Sequence, residues 1–107
     1  MIKEITIDGQ ELKLAANAAT PFRFRQMFKK DLLQILGNEE KAEAEGVETI
    51  SELAFIMAKQ AEGVDMSKLT EGEFYTWLES FGPMAFIENA EDILEIYTSS
   101  ETTTTFR

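Results

Sequence analysis

The chain has 107 residues, with 20 acidic side chains, 10 basic ones and a formal net charge of −10. It contains no histidine and no cysteine, so it lacks the side chain that titrates near neutral pH and the strongest ready-made nucleophile. This composition excludes disulfides and most metal chemistry, and it argues against nucleic acid as the main ligand because phosphates favour a basic surface.

The start of the chain predicts a β-hairpin over about residues 2–15. Apolar and polar residues alternate on both sides of Asp8-Gly9, which is a turn signal. Two strands alone are only marginally stable, so the apolar face of the hairpin must pack on helices. That face consists of Ile5, Ile7, Leu12 and Leu14.

Thr20-Pro21 predicts a helix that is capped by Thr20, runs to Leu36 and stops at Gly37. Arg25 and Lys29 fall within its apolar arc. They either bind an acidic partner, such as the acidic helix of another copy, or cover the core edge with their methylene stems while their charges reach water. The predicted apolar face is Phe24, Phe28, Leu32 and Ile35, widened by Phe22, Leu33 and Leu36.

Residues 38–46 carry no large apolar side chain and predict either a solvated loop or a helical extension. A second helix is predicted over residues 47–61, with a stop at Gly63. Phe55 falls on its charged side, so it is either an exposed anchor for a partner or is covered by residues 38–46 or the hairpin. The predicted core stripe is Val47, Ile50, Leu53, Ala54, Met57 and Ala61.

Thr70 and Glu73 form a capping-box signal for a short third helix. Its aromatic face, Phe74, Trp77 and Phe81 together with Leu78, is interpreted as core. A last helix is predicted over about residues 84–98, with Ile96 at the edge of its apolar face and a flexible Thr-rich tail after it. The apolar face is Phe86, Ile87, Ala90, Ile93, Leu94 and Tyr97, and the opposite acidic stripe is Glu88, Glu91, Asp92 and Glu95.

These elements predict a mainly α fold, a small bundle of about four helices with the N-terminal hairpin packed on it. Residues 1–98 form one helical domain and residues 99–107 a flexible tail. Met1 leads straight into an alternating, charged segment, which does not have the pattern of a signal peptide. No apolar run approaches the roughly 20 residues that span a bilayer, so we expect no membrane association.

The charge is unevenly distributed along the chain. Residues 1–37 carry six bases and four acids, a net charge of +2, whereas residues 38–107 carry four bases and 16 acids, a net charge of −12. This asymmetry favours self-association or pairing with an oppositely charged partner, although acidic faces also simply keep helices soluble.

The motifs of common enzyme classes are absent from the sequence. There is no Gly-rich phosphate loop, no calcium-loop spacing and no histidine for a serine triad. The carboxylates fall on predicted solvent faces instead of in a cleft. We therefore predict a non-enzymatic protein without a cofactor or metal, whose candidate partner-binding residues are Phe55, Ile96, Arg25 and Lys29.

The order of these segments resembles the tail assembly chaperones of long-tailed phages and prophages of Gram-positive bacteria. The resemblance covers nearly the whole chain, from the hairpin to the Ser/Thr-rich tail; the Glu-rich residues 38–46 and the closing Phe106-Arg107 depart from the family pattern. The segments that carry it are 22–33 (FRFRQMFKKDLL), 53–61 (LAFIMAKQA), 74–81 (FYTWLESF) and 90–97 (AEDILEIY).

This resemblance implies a protein that binds the tape measure protein in the cytoplasm of the bacterial host and keeps its apolar helices soluble. It implies help in recruiting tail tube subunits, absence from the finished virion, and a short form of a protein that a ribosomal frameshift also makes in a longer form. The alternative, indicated by the −12 of residues 38–107, is an acidic inhibitor that imitates nucleic acid or neutralises a basic protein.

Overall fold

A computed structural model of the chain describes residues 2–102, including every side chain in that range except those of residues 41–44 and 99–102. The fold is mainly helical with an N-terminal antiparallel hairpin packed on the helices, which confirms the predicted class. The elements are β1 (Ile2–Ile7), β2 (Gln10–Ala15), α1 (Thr20–Phe28), α2 (Leu32–Leu36), α3 (Glu39–Glu62), a 3-10 turn (Met66–Lys68), α4 (Glu71–Leu78), α5 (Ala85–Glu88) and α6 (Ala90–Thr102).

The hairpin has the predicted turn. Asp8 and Gly9 both take positive φ angles, 55° and 80°, as a two-residue turn that matches the strand twist requires. The strands pair antiparallel from Ile2 opposite Ala15 to Ile7 opposite Gln10. The Asp8 carboxylate accepts a hydrogen bond of 2.7 Å from the backbone N–H of Gly82, and this bond ties the hairpin tip to the connection between α4 and α5.

Helix α3 is the centre of the fold. Every residue from Thr49 to Ala58 is buried, and β2, α1, α2, α4, α5 and α6 all pack on this helix. A helix that is covered on all sides needs apolar residues all round, and the run from Leu53 to Ala58 supplies them. The prediction of a single core stripe was therefore too narrow. Residues 39–46 are a helical extension of α3, one of the two predicted alternatives.

Phe55 lies in the core, so of its two predicted alternatives the exposed anchor is wrong and the covered side chain is right. Its side chain has no solvent-accessible surface, and its ring makes edge contacts with Phe74 at 5.3 Å and with Trp77 at 5.4 Å. Helix α4, which neither predicted alternative named, therefore covers it. The predicted core assignment of the α4 aromatic residues is confirmed, because Phe74 is buried and Trp77 and Phe81 pack against the core.

The predicted helix over residues 20–36 is two helices. Lys29 takes a left-handed conformation, with φ 60° and ψ 33°, and the Asp31 carboxylate accepts hydrogen bonds from the backbone N–H groups of Leu33 and Gln34, which starts α2. Aspartate is a preferred helix N-cap. Asp31 was therefore a sequence signal for a second helix start, but the apolar periodicity continues across it and predicts one helix. The helix does end at Gly37 as predicted.

Thr20 does not cap α1. The residue at the cap position is Ala19, which makes no side-chain cap bond. The Thr20 hydroxyl is buried instead, where it accepts hydrogen bonds from the backbone N–H of Asn17 at 2.9 Å and from the Gln60 side chain at 3.0 Å. Gln60 also donates to the carbonyl of Ala15 at 2.8 Å. The threonine therefore fastens the start of α1 to α3.

The Thr70 cap of α4 is confirmed, since the Thr70 hydroxyl accepts a hydrogen bond from the backbone N–H of Glu73 at 3.2 Å.

The last predicted helix is broken at Asn89, which leaves helical geometry at φ −111° and ψ 11°. The Asn89 amide donates to the carbonyl of Ala85 at 2.8 Å, and such side-chain bonds compete with the helical ladder. Helix α6 extends to Thr102, beyond the predicted end at 98, and residues 103–107 of the predicted tail lie outside the described residues.

Several side chains predicted to face the core are exposed. At about 100° per residue Phe22 and Leu33 lie on the side away from Phe24, Leu32 and Ile35, and Val47 comes two residues before the buried part of α3. These residues are Phe22, Leu33, Val47 and Ile87.

We expect Phe55→Ala to lower the free energy of unfolding by about 4 kcal/mol, because it removes a buried ring and leaves a cavity. The matched control is Phe22→Ala, which removes the same ring from an exposed position and should change stability by less than about 0.5 kcal/mol. Urea denaturation followed by circular dichroism measures both. Equal effects of the two substitutions would contradict the central position of Phe55.

Candidate functional site

The most distinctive surface is the outward side of α1, formed by Phe22, Arg25, Gln26 and Lys29 and called here the α1 outer face. At about 100° per residue these positions share one side of the helix, and all four are exposed. Phe22 is 68% exposed, which is unusual for a large aromatic side chain. Sequence analysis singled out Arg25 and Lys29 but placed Phe22 in the core.

This face is basic in an acidic protein. Residues 20–28 contain two arginines and no acidic residue, and Lys29 follows directly. In the part of the chain that the structure describes, neither Arg25 nor Lys29 lies within ion-pair distance of a carboxylate. The Lys29 ammonium donates to the carbonyl of Gln26 at 2.8 Å. The face therefore presents an aromatic anchor beside two uncompensated cations, which suits an acidic partner with an apolar side chain.

The neighbouring Lys30 points the other way and anchors the end of α1. Its ammonium lies 3.1 and 3.3 Å from the two carboxylate oxygens of Glu52 and also pairs with Glu48. Glu52 is buried in the middle of α3, with only 5% of its surface exposed. Lys29, in the left-handed conformation, is exposed and Lys30 is half-buried against α3, so the ion pair and the basic face both lie at the turn that ends α1.

Burial raises the pKa of the Glu52 carboxyl, although the hydrogen bond and charge of Lys30 oppose that shift. For Lys30, burial acts to lower the pKa, but the hydrogen bonds and charges of Glu48 and Glu52 outweigh it and the net shift is upward. The lysine is therefore cationic at neutral pH, whereas the buried carboxylate depends on it for stabilisation.

A second charged surface lies on α5 and α6. Glu88, Glu91, Asp92 and Glu95 are all exposed, as the predicted acidic stripe requires. Within residues 2–102 none of the four is in an ion pair. They are called here the α5–α6 acidic face. Ile87, 46% exposed, lies at its N-terminal end.

Ile96 lies at the edge of α6, as predicted, and is half-buried. It lines a shallow depression of about 280 Å³ between α6 and β1. The depression has Ile5 as its other apolar residue and is otherwise lined by charged residues: Lys3, Glu4, Asp92 and Glu95. The predicted partner-binding residues thus separate, with Arg25 and Lys29 together on α1, Ile96 on α6 and Phe55 inside the core.

The described residues show no group of three or more carboxylates that could hold a metal ion. No helix in the same part of the chain is both long enough and apolar enough to cross a membrane.

Comparison with known proteins adds nothing to this geometry: no family model matches the chain, and neither does any curated protein or solved structure.

We expect Lys30→Met to lower the free energy of unfolding by about 2–3 kcal/mol at neutral pH, because it leaves Glu52 buried without its cation. A carboxyl whose pKa is higher in the folded chain than in the unfolded one binds its proton more tightly when folded. Stability therefore rises as the pH falls through that folded pKa. The deficit of Lys30→Met should accordingly shrink as the pH approaches 4.5, the ordinary value for glutamate.

Denaturation curves between pH 7 and pH 5 check this expectation. The control is Lys68→Met, which removes an exposed lysine outside this cluster and should change stability by less than about 0.5 kcal/mol at any pH. In the double variant Lys30→Met with Glu52→Gln the deficit should no longer shrink as the pH falls, because no buried carboxyl remains to take up a proton. A deficit independent of pH in the single variant would contradict the role assigned to Glu52.

Proposed function

We propose that this protein is a phage tail assembly chaperone that binds the tape measure protein and keeps it soluble before tail assembly. The motif resemblance along the chain suggests the class. The observation that carries a binding role is the α1 outer face, where an exposed Phe22 is flanked by Arg25 and Lys29. The client contact is assigned to this face, since Phe55 is buried.

The chemistry of the face fits an amphipathic helical client. An aromatic ring that is already exposed loses its contact with water when it docks on an apolar helix stripe, and aromatic anchors of this kind dominate interface energies. The two cations select client segments with acidic residues beside the stripe. The net charge of −10 keeps loaded complexes apart, which suits a protein that solubilises its client.

The same proposal covers the later steps. The chaperone acts in the cytoplasm of the bacterial host, helps recruit tail tube subunits to the loaded tape measure protein and leaves before the virion is complete. These steps need no catalytic group and no cofactor, in keeping with a chain that lacks histidine and cysteine.

A second candidate function is inhibition of a basic protein, supported by the α5–α6 acidic face and by the net charge of −12 over residues 38–107. Binding of a basic protein to the four carboxylates of this face depends on charge pairs and would be weakened strongly at high salt. Binding of a client through Phe22 keeps an apolar component that salt does not screen. Salt dependence therefore distinguishes the two functions.

The test is co-expression of this chain with the product of the long helical gene downstream of its own. We expect the partner to be soluble only in the presence of this chain and to co-purify with it at moderate salt. Phe22→Ser should reduce the recovered partner about tenfold or more, as expected for loss of an aromatic anchor. Leu33→Ser is the control, since Leu33 is also exposed but lies on α2.

Circular dichroism and thermal melting of both variants establish that they remain folded. An unchanged yield of partner with Phe22→Ser would remove the α1 outer face from the proposal. An insoluble partner in the presence of the wild-type chain would overturn the chaperone function itself. Capture of basic host proteins that is lost at high salt would favour the inhibitor.

A further inference from the structure

A pocket lies beside the α1 outer face, between α1, α3 and the 3-10 turn. Its volume is about 270 Å³, below the range of roughly 300–1,000 Å³ that is typical of small-molecule sites. Its size therefore suits one side chain of a partner better than a whole small molecule. It is called here the Met27–Met66 pocket, after the two methionines that line it.

The apolar lining of this pocket consists of Met27, Ile56, Met66 and Leu69. Ile56 is fully buried on α3, whereas the other three side chains are half-buried. Methionine is unbranched and its thioether adapts to neighbours of different shape, so methionines are frequent on surfaces that bind many partners. The lining can therefore accept leucine, isoleucine or phenylalanine side chains of a partner.

Arg23 adds a cation to the polar side of the pocket. Within residues 2–102 no carboxylate lies within ion-pair distance of it. The Asp65 carboxylate instead accepts hydrogen bonds from the Ser67 hydroxyl at 2.6 Å and the Ser67 N–H at 3.0 Å. These bonds, more than the charge of Arg23, lower the pKa of the Asp65 carboxyl. Arg23 therefore remains available to a carboxylate of a partner, which a guanidinium can bind through two parallel hydrogen bonds.

The pocket adjoins the α1 outer face. Gln26 belongs to both, and at about 100° per residue Arg23 and Met27 come next around α1. A helix is about 10–12 Å across with its side chains, so one client helix is wide enough to contact Phe22 and the pocket together.

We propose that the Met27–Met66 pocket takes an apolar side chain from a client helix and that Arg23 pairs with a carboxylate three or four residues away on that helix. Residues at this separation lie on one face of a helix. This contact rests on the chaperone function proposed above and specifies the chemistry of its client. Because the methionines do not demand one shape, the same site can hold successive, different segments of a long client.

The methionines themselves report on the contact. The ligands are peptides that cover the predicted helices of the product of the long helical gene downstream. With the whole chain labelled with ¹³C at its methionine methyl groups, we expect a bound peptide to shift the NMR signals of Met27 and Met66. Met84 is the control, since it is 51% exposed directly before α5 and does not line the pocket; its signal should stay in place.

Two substitutions test the two parts of the site. Ser67→Trp fills the pocket from an exposed position and keeps the backbone N–H that bonds Asp65, and Arg23→Glu reverses the cation. Each should weaken peptide binding about tenfold or more, as measured by isothermal titration calorimetry. The matched controls are Thr76→Trp and Lys13→Glu, at exposed positions outside the pocket, and both should bind as the wild type does.

A charge exchange tests the pairing itself. A peptide whose acidic residue is replaced by lysine should bind the Arg23→Glu variant more tightly than it binds the wild-type chain, because attraction then replaces repulsion at this one pair. Equal affinity of this peptide for the two chains would remove Arg23 from the contact.

Unchanged peptide affinity of both Ser67→Trp and Arg23→Glu, with circular dichroism showing them to be folded, would overturn this assignment. If Phe22→Ser still reduces recovery of the partner in that case, the proposed function stands without the pocket. If no peptide binds and the downstream product does not co-purify with the wild type, the chaperone function and the pocket contact fail together.

Discussion

Burial of α3 on all sides is the constraint on which the rest of this structure depends. From Thr49 to Ala58 every residue is buried, so other elements must cover every side of the helix. The hairpin covers one side through β2, α1 and α2 cover another, and α4 to α6 complete the shell. The edge contacts of Phe55 with Phe74 and Trp77 join α3 to this shell. Because the surrounding helices all pack on α3 with one side, their opposite sides face outward and can contact partners.

Glu52 is the one charged residue in the buried part of α3, and its ion pair involves the turn beside the α1 outer face. Glu52 needs a cation, because a carboxylate buried alone is strongly unfavourable. Lys30 supplies that cation from the turn between α1 and α2. The left-handed Lys29 and the Asp31 cap make the turn possible, and the same turn ends α1 with Lys29 outside. The turn that brings Lys30 to the buried Glu52 is therefore also the turn at which the α1 outer face ends.

Positive and negative charges are concentrated on different faces of the molecule. One face has cations and an aromatic ring, another has carboxylates and an isoleucine, and the helices that carry both faces pack on α3. Under the proposed chaperone function, the acidic surface repels other loaded complexes, whereas the basic face attracts an acidic helical segment.

The sequence by itself determined the local features: the Asp8-Gly9 hairpin, the Thr70 cap, the stops at Gly37 and Gly63, the aromatic core of α4 and the acidic stripe of the last helix. Each depends on turn chemistry, capping or periodicity within about one element. Only the tertiary structure decided that Phe55 is core and Phe22 is surface. The period of α3 placed Phe55 among charged residues, but α4, which covers it, comes some twenty residues later. The breaks at Lys29 and Asn89 are similar, because a side-chain cap or an amide bond to the backbone interrupts an apolar pattern that continues in the sequence. The partner-binding surface depends on which sides of the helices remain uncovered, and that is a property of the packed molecule.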